Sequence, residues 1–461
     1  MMSGHSAVRW RRPAVIQAAA AAVVALTVFV ALLVVPDGSP SAPPTPTPRA
    51  PALVAATSVT ATTASSLLGI VGINIHSAEG STPYGNYPAT EKLLLKLGLH
   101  HIRDDMAYNP NFVRSAQYAF YNTLDAAGIK TDLVVSPSAE QTDLAGRLAS
   151  VATYFPTAVD ALEGPNELNL APGDTEWASQ DQSYAKALAA SVRANPTLKS
   201  IPLLAPSLAD YLAIHDHDQG FLQLGDLTSS ITLGNVHLYP GGRDPTWNMD
   251  VTLAGVPIVS GTKPVWVTEA GYHDEVTTPG RDAAAPDPVI AAYLPRLLLE
   301  WAQRGVARVN LYELYDEAAD PDLVDFQDHF GLVALDGKPK PQFYAVANFD
   351  HLLSDKDSSF VPGALSYSLS SGTTPVSTKL VEKSDGEFVL FVWRDVSLYD
   401  TTTQQLTPVT GVPVTVTLAD PAQRLEVFRP SVSGRPQQTV TAASSITFSV
   451  GGDVSALVVK P

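Results

Sequence analysis

Two glutamates stand at the ends of apolar runs that read as strands, and they are the groups in this chain best placed to do chemistry. In Ala161-Leu162-Glu163-Gly164-Pro165-Asn166-Glu167-Leu168-Asn169 a short apolar run stops at a Gly-Pro break and presents an Asn-Glu pair. In Pro264-Val265-Trp266-Val267-Thr268-Glu269-Ala270-Gly271-Tyr272 a second β-branched run also ends on a glutamate. Paired carboxylates at two strand ends suit acid/base work on a sugar bond. Other ionisable or aromatic groups recur at strand ends: Arg103-Asp104-Asp105, His237-Leu238-Tyr239 and Tyr312-Glu313. Alone, a glutamate after a strand is more often a helix N-terminal or loop residue than a catalyst, and Glu313 rivals Glu167 or Glu269. Their convergence on one mouth gives them weight. Aromatic platforms for a ligand ring are sought in Trp177, Tyr272, Tyr312 and Tyr315, with Trp247 and Phe326 behind them, although an aromatic residue is more often core than subsite. The run Ile214-His215-Asp216-His217-Asp218 has metal-capable side chains but no third ligand is placed beside it, so neither metal nor cofactor is expected.

The elements that would position these groups follow one grammar. An amphipathic stretch closes on a glycine and a β-branched run begins a few residues later: Leu93 to Gly98 before His101-Ile102-Arg103, Leu124 to Gly128 before Asp132 to Val135, Trp301 to Gly305 before Val309 to Tyr312. Glycine supplies the left-handed helix end, and the short unalternating runs suit strands buried on both faces. Strands are expected near Ile70–Asn74, Ile102–Asp104, Leu133–Val135, Ala161–Glu163, Leu203–Ala205, Asn235–His237, Val265–Thr268 and Val309–Leu311. Helices are expected near Tyr87–Leu97, Val113–Ala127, Thr142–Tyr154, Trp177–Asn195, around Ile214–Leu227 and near Pro288–Arg304, with Val251–Gly261 the least convincing. This alternation over about 280 residues fits an α/β (β/α)8 TIM barrel. A doubly wound sheet is the runner-up, but no G-x-G-x-x-G follows the first strand.

After Gln342 to Asn348, read as the last barrel helix, alternating segments replace helix signals: Ala364–Leu369, Glu387–Trp393, Val412–Leu418, Arg424–Phe428, Ser445–Val450 and Ser455–Val459. They predict a C-terminal antiparallel β-sandwich over 351–461, behind a barrel over 67–350, with a packing role more expected of it than glycan binding. Ser58–Thr62 is linker or an added sandwich strand.

The chain's 461 residues, 45% hydrophobic and 16% charged, make a globular protein, and a net charge of −17 disfavours phosphate backbones and anionic membrane surfaces as partners. No nucleic acid is expected. The absence of cysteine excludes disulfides, thiol nucleophiles and a lipobox anchor. Within residues 1–36, Arg9, Arg11 and Arg12 precede an apolar run from about Pro13 to Val35, an export element that reads as an uncleaved signal-anchor or a cleaved signal peptide. Residues 37–66 hold a Pro/Thr-rich linker. The expected location is therefore extracellular, anchored at the cell surface or secreted, with a composition expected of a bacterial protein, the membrane met only through the N-terminal segment and the protein a monomer.

Gly-Pro-Asn-Glu on strand four, His-x-Tyr on strand six and Thr-Glu-Ala-Gly on strand seven resemble the retaining glycoside hydrolases of clan A. Asp328 to Val333 followed by Lys338 to Tyr344 is similar to the segment after strand eight in many members, and the added sandwich resembles family 39, the β-xylosidase and exopolysaccharide-hydrolase group. Leu168 stands where family 39 commonly has a proline. The resemblance implies a carbohydrate substrate, Glu167 as general acid/base and Glu269 as nucleophile. It further implies Arg103 and Tyr239 as partners that keep Glu269 ionised, His237 as lining of the site floor, and Asn166 as a donor to the sugar 2-hydroxyl. A structural ion pair of Arg103 with Asp104 or Asp105, and a glycan-binding barrel without catalysis, are the alternatives.

Overall fold

The structure, a computed structural model, describes residues 56–109, 116–135, 143–170, 175–209, 219–277, 283–323 and 325–461. The N-terminal apolar segment, most of the Pro/Thr-rich linker and the His215–Asp218 run lie outside them. Among the described residues no helix is long and apolar enough to cross a membrane.

Parallel strands Val71–Asn74, His101–Asp105, Lys130–Val134 and Val159–Glu163 pair in that order, and Gly234–His237, Val265–Ala270 and Arg308–Leu311 continue back to the first. The gap between the fourth strand and Gly234–His237 is closed by two residues, which bridge Leu162 to Leu203 and Leu204 to Leu233. Leu204 N–H donates to Leu162 O at 3.0 Å and Ala205 N–H to Leu233 O at 3.0 Å. Residues 203–204 are thus the fifth strand, and the sheet closes as a (β/α)8 barrel. Its wall is buried on both faces, with Val71, Ile73, Ile102, Leu133, Leu162, Val267 and Val309 in one core cluster.

Among the described residues the helices form where the pattern predicts, while residues 113–115, 142 and 214–218 of the expected helices lie outside them. In Tyr87–Leu97, Asn86 caps Ala89 N–H, Thr90, Leu94 and Leu97 face inward, and Gly98 ends the helix at φ 86°. Gly128 and Gly305 occupy the same left-handed region at φ 85° and 76°, a conformation that costs a residue with a Cβ but not glycine. Met249–Ser260, the least convincing expectation, is a full helix. It is apolar nearly all round, with Val251 exposed while Thr252, Val256 and Val259 are buried, so its sequence carries little periodicity.

The C-terminal sheet has eight strands, and Val412–Arg429 is its spine. Val412–Leu418 pairs with Ala364–Ser370 and the end of Ser433–Val450, while Arg424–Phe428 pairs with Ser455–Lys460, the register shifting between Thr417 and Ala422. The sheet therefore folds over on itself, and the two halves enclose Tyr367, Leu380, Leu390, Val392, Val416, Leu425, Phe448, Leu457 and Val459. Within the span expected as linker, Thr57–Thr60 pairs with Ala364–Ser370 and Thr62–Thr63 with Ser377–Glu382, so these residues belong to the sheet. Its other face joins the barrel core through Val389, Phe391, Trp393 and Val458.

Candidate active site

A parallel barrel aims the ends of all its strands at one mouth, and the charged side chains found there form one network. Arg103, inward-facing on the second strand, is buried and uses all five of its N–H groups. Nε and Nη2 donate to the two oxygens of Glu163 at 2.9 and 2.8 Å, and Nη2 also donates to Asn166 Oδ1 at 2.8 Å. Nη1 donates to Asn74 Oδ1 at 3.0 Å and to Glu269 Oε1 at 2.8 Å. Burial alone would lower the guanidinium pKa, but the charges of Glu163 and Glu269 raise it further still. Asp104 takes no part in this. It accepts from Ser77, Gln117 and Tyr121, and burial pushes it up to about 7. Asp132, below Arg103, is pushed well above the usual carboxylate range by burial and by the charge of Glu163.

Glu269 ends the seventh strand and receives a second donor on its other oxygen: Tyr239 O–H at 2.6 Å from Oε2. Glu269 thus accepts from a cation on one oxygen and from a hydroxyl on the other. Glu167 has a different partner. It sits at φ 47° just after the Gly-Pro break, with its N–H donating to Ser207 Oγ and its Oε1 2.8 Å from His237 Nδ1. His237 is more than floor lining. The same Nδ1 lies 3.5 Å from Glu269 Oε2, and Nε2 lies 2.9 Å from Thr268 Oγ1. Burial lowers the His237 pKa, but the charge of Glu269 and the bond to Glu167 outweigh it and leave it raised. Oxygens of Glu167 and Glu269 and a nitrogen of His237 lie within 4.8 Å of one another. Asn166 Oδ1 accepts from Arg103 and from Ser207 O–H, so its amide hydrogens are the part of it not engaged by these bonds.

The aromatic candidates divide. Tyr312 is partly exposed at the mouth, edge-on to Tyr239 with ring centroids 6.1 Å apart and to His76 at 5.6 Å. Trp177 and Tyr272 do not serve as platforms: they are 8% and 4% exposed and lie in the core cluster. Trp177 opens its helix and folds inward, while Tyr272 donates to Arg243 O and packs on Tyr293. Tyr315 is likewise core, edge-on to Tyr84. Trp247 lies under the Arg243 guanidinium and Phe326 against His273. Glu313 loses its rivalry because it is fully buried, accepts from Tyr84 O–H at 2.6 Å, and is pushed well above the usual carboxylate range chiefly by burial.

His76, Glu313 and Glu317 form a second group with ligand atoms within 4.8 Å. Burial opposes the charged form of His76, but the hydrogen bond of Asp105 and the charges of Glu313, Asp105 and Glu317 raise its pKa well above the ordinary value. The imidazolium thereby supplies the positive charge this cluster needs.

Sequence reasoning missed the partners Asn74, Thr268, Asn235 and Ser207. Thr268 adjoins Glu269, and Asn235 precedes His237 by two residues on one strand face, which is the sequence signal that points to them.

No protein-family model and no curated protein matches this sequence. Solved structures do match. The GH39 enzyme of Xanthomonas axonopodis pv. citri aligns over 87% of this chain and 96% of its own, with TM-score 0.57 and 15% identity. A monomeric β-xylosidase from Caulobacter crescentus CB15 aligns over 88% and 98%, with TM-score 0.57 and 14% identity. The fold is that of the family 39 glycoside hydrolases. A glucosidase from Croceicoccus marinus shares it, with TM-score 0.58, 14% identity and coverage of 86% and 95%. Coverage this broad takes in the barrel and the sandwich together, so the family 39 fold describes the architecture as a whole.

Proposed function

We propose that this protein is a retaining glycosidase that acts on an extracellular or cell-envelope polysaccharide or oligosaccharide. The observation that carries the reading is the approach of Glu167 and Glu269 to within 4.8 Å in their nearest oxygens. Retaining enzymes hold the two carboxyls about 5–5.5 Å apart, and inverting enzymes separate them by about 6.5–9.5 Å to admit a water. In the first step Glu269 attacks the anomeric carbon, the bond to the leaving oxygen breaks, and Glu167 gives its proton to that oxygen. In the second, water attacks the anomeric carbon, Glu167 takes a proton from it, and the bond to Glu269 breaks. Arg103 and Tyr239 each donate to one oxygen of Glu269 and aim it. The amide hydrogens of Asn166 suit the sugar 2-hydroxyl, a contact that strengthens in the transition state. Tyr312 offers an aromatic edge to the ring. Action outside the cytoplasm rests on the arginine-led apolar segment Met1–Val35 and the Pro/Thr spacer after it.

The test is a set of 2-fluoro sugars with an activated leaving group, xyloside and glucoside first because structurally similar proteins bear those names, followed by peptide mass mapping. A glycosyl label on Glu269 is expected, together with loss of turnover in Glu269→Ala. If the unmodified protein stays unlabelled and inactive across the sugar panel yet still binds glycans, the barrel is a binder and the catalytic reading fails.

A further inference from the structure

The acid/base glutamate lies against a histidine, and the hydrogen-bond accounting around that histidine has one solution. Asn235 Nδ2 lies 2.9 Å from Glu163 Oε1 and 3.0 Å from Ala205 O. Both are acceptors only, so the amide nitrogen must point at them and the amide oxygen must point at Thr268 Oγ1, 2.6 Å away. The oxygen of an amide cannot donate, so the single hydroxyl hydrogen of Thr268 is used there. Thr268 can then only accept from His237 Nε2, 2.9 Å distant, which fixes a proton on Nε2. The other ring nitrogen, Nδ1, lies 2.8 Å from Glu167 Oε1. With Nε2 protonated, a neutral ring presents a lone pair at Nδ1, and a lone pair cannot sit at that distance from a carboxylate oxygen. One proton must lie between them, as carboxylic acid and imidazole or as carboxylate and imidazolium.

We propose that Thr268 and Asn235 are positioning residues that load the acid/base: by holding His237 in the Nε2–H form they keep a proton in the Glu167–His237 pair. The same Asn235 amide is anchored on Glu163, which is clamped by the Arg103 that also holds Glu269. The acid/base pair and the nucleophile are therefore held by one connected hydrogen-bond frame. All of these side chains except the partly exposed Asn166 and Glu167 are buried, so water does not compete for the bonds.

This inference rests on the retaining reading of Glu167 and Glu269, and two measurements separate its failure from that one's. The first needs no substrate. In protein labelled with nitrogen-15 histidine, the His237 signals, assigned by their loss in His237→Gln, are expected to show Nε2 protonated across the neutral range; a protonated Nδ1 with bare Nε2 in the unmodified protein overturns the proposal. The second uses Thr268→Val, which keeps shape but cannot accept a hydrogen bond. Its turnover of a glycoside with a poor leaving group is expected to fall about 10²-fold, as when general acid catalysis is lost. Formation of the glycosyl-enzyme from a dinitrophenyl glycoside, which needs no acid, is expected to change less than about threefold, and the alkaline limb of kcat/KM to move down by about one pH unit. Thr268→Ser is expected to restore both. Equal losses on both substrates with an unmoved pH profile would mean a merely structural threonine, and sink the idea.

Discussion

Arg103 constrains the rest of the site, because each of its five N–H groups already has a partner and those partners include Glu269 and Asn166, to which the proposed mechanism gives roles. The fork spans Glu163 on one side and Glu269 on the other. A lysine carries three donors on a flexible stem and cannot reproduce that geometry. Arg103→Lys is therefore expected to lower kcat/KM by about 10² or more, the cost of misplacing a reacting group by about an ångström. It should also destabilise the fold by roughly 3–5 kcal/mol, because Glu163 would be left with an incompletely paired buried charge. Steady-state kinetics beside urea unfolding would check both, and unchanged kinetics would show that Arg103 does not govern Glu269. On the proposed mechanism Glu167→Gln removes the proton donor but keeps the shape, so its loss should reach about 10²–10⁴-fold on poor leaving groups and leave stability nearly unchanged. The glutamates and Arg103 were legible from their places at strand ends. Their connections were not: Arg103 meets Glu163 across 60 residues and Asn235 meets Glu163 across 72, and no local pattern encodes such pairings.

At the level of elements, the glycine grammar is the most legible feature, since a left-handed helix end has few solutions. Gly98, Gly128 and Gly305 all take it. Nothing lies within 4 Å of a Cβ built on Gly128, so Gly128→Ala would meet no clash and pay only the conformational cost at φ 85°, about 1 kcal/mol. Turnover should not change, and a denaturant midpoint measures the difference. Core aromatics were less legible, because Trp177, Tyr272 and Tyr315 read the same at a loop whether they face a sugar or the interior. The fifth barrel strand is short, two residues bridging its neighbours, and was found by its place in the alternation rather than by pattern strength. Helix Trp177–Ala194 also carries a pH device. Asp181 is buried, neither of its oxygens has a hydrogen-bond partner, and burial pushes its pKa up to about 8. The folded state binds this proton more tightly than the unfolded chain, whose aspartate titrates near ~3.9. Its contribution is thus fully present below about pH 4 and is lost as pH rises through about 8, with a slope of up to ~1.4 kcal/mol per unit. Asp181→Asn removes this proton, so unfolding free energies measured from pH 5 to 8 should fall less steeply in the variant than in the parent; parallel curves would place the pKa elsewhere.

Over the whole described chain, the join between barrel and sandwich has the character of an interior. Helix Asp287–Gln303 is buried along most of its length, and Arg296 within it is fully buried. Its Nη1 reaches the carbonyls of Arg394, Val396 and Gly452 at 3.2, 2.9 and 2.8 Å, and the guanidinium also pairs with Asp244 beyond the sixth strand. Burial lowers its pKa to about 10, so the charge persists at neutral pH. One helix thus ties the loop beside the site to the sandwich. Trp393 Nε1–H donates to Glu300 Oε1 at 2.6 Å, and Phe349 packs on Phe391 with centroids 5.1 Å apart. The sandwich sequence showed alternation but not this second buried face: Phe388 to Trp393 is apolar at every position because one side meets the sandwich core and the other meets the barrel. Two apolar cores sharing a strand should unfold together. A fragment spanning residues 56–461 is expected to give one calorimetric transition, with the van't Hoff and measured enthalpies equal. Arg296→Met should lower its midpoint while keeping one transition, because the buried carbonyl of Gly452 and the part-buried carbonyls of Arg394 and Val396 lose a charged donor, the buried one at about 1–3 kcal/mol. Two resolved transitions in the parent fragment would mean that the halves are independent bodies, and the frame around Glu167 and Glu269 would then have to be stabilised by the barrel alone.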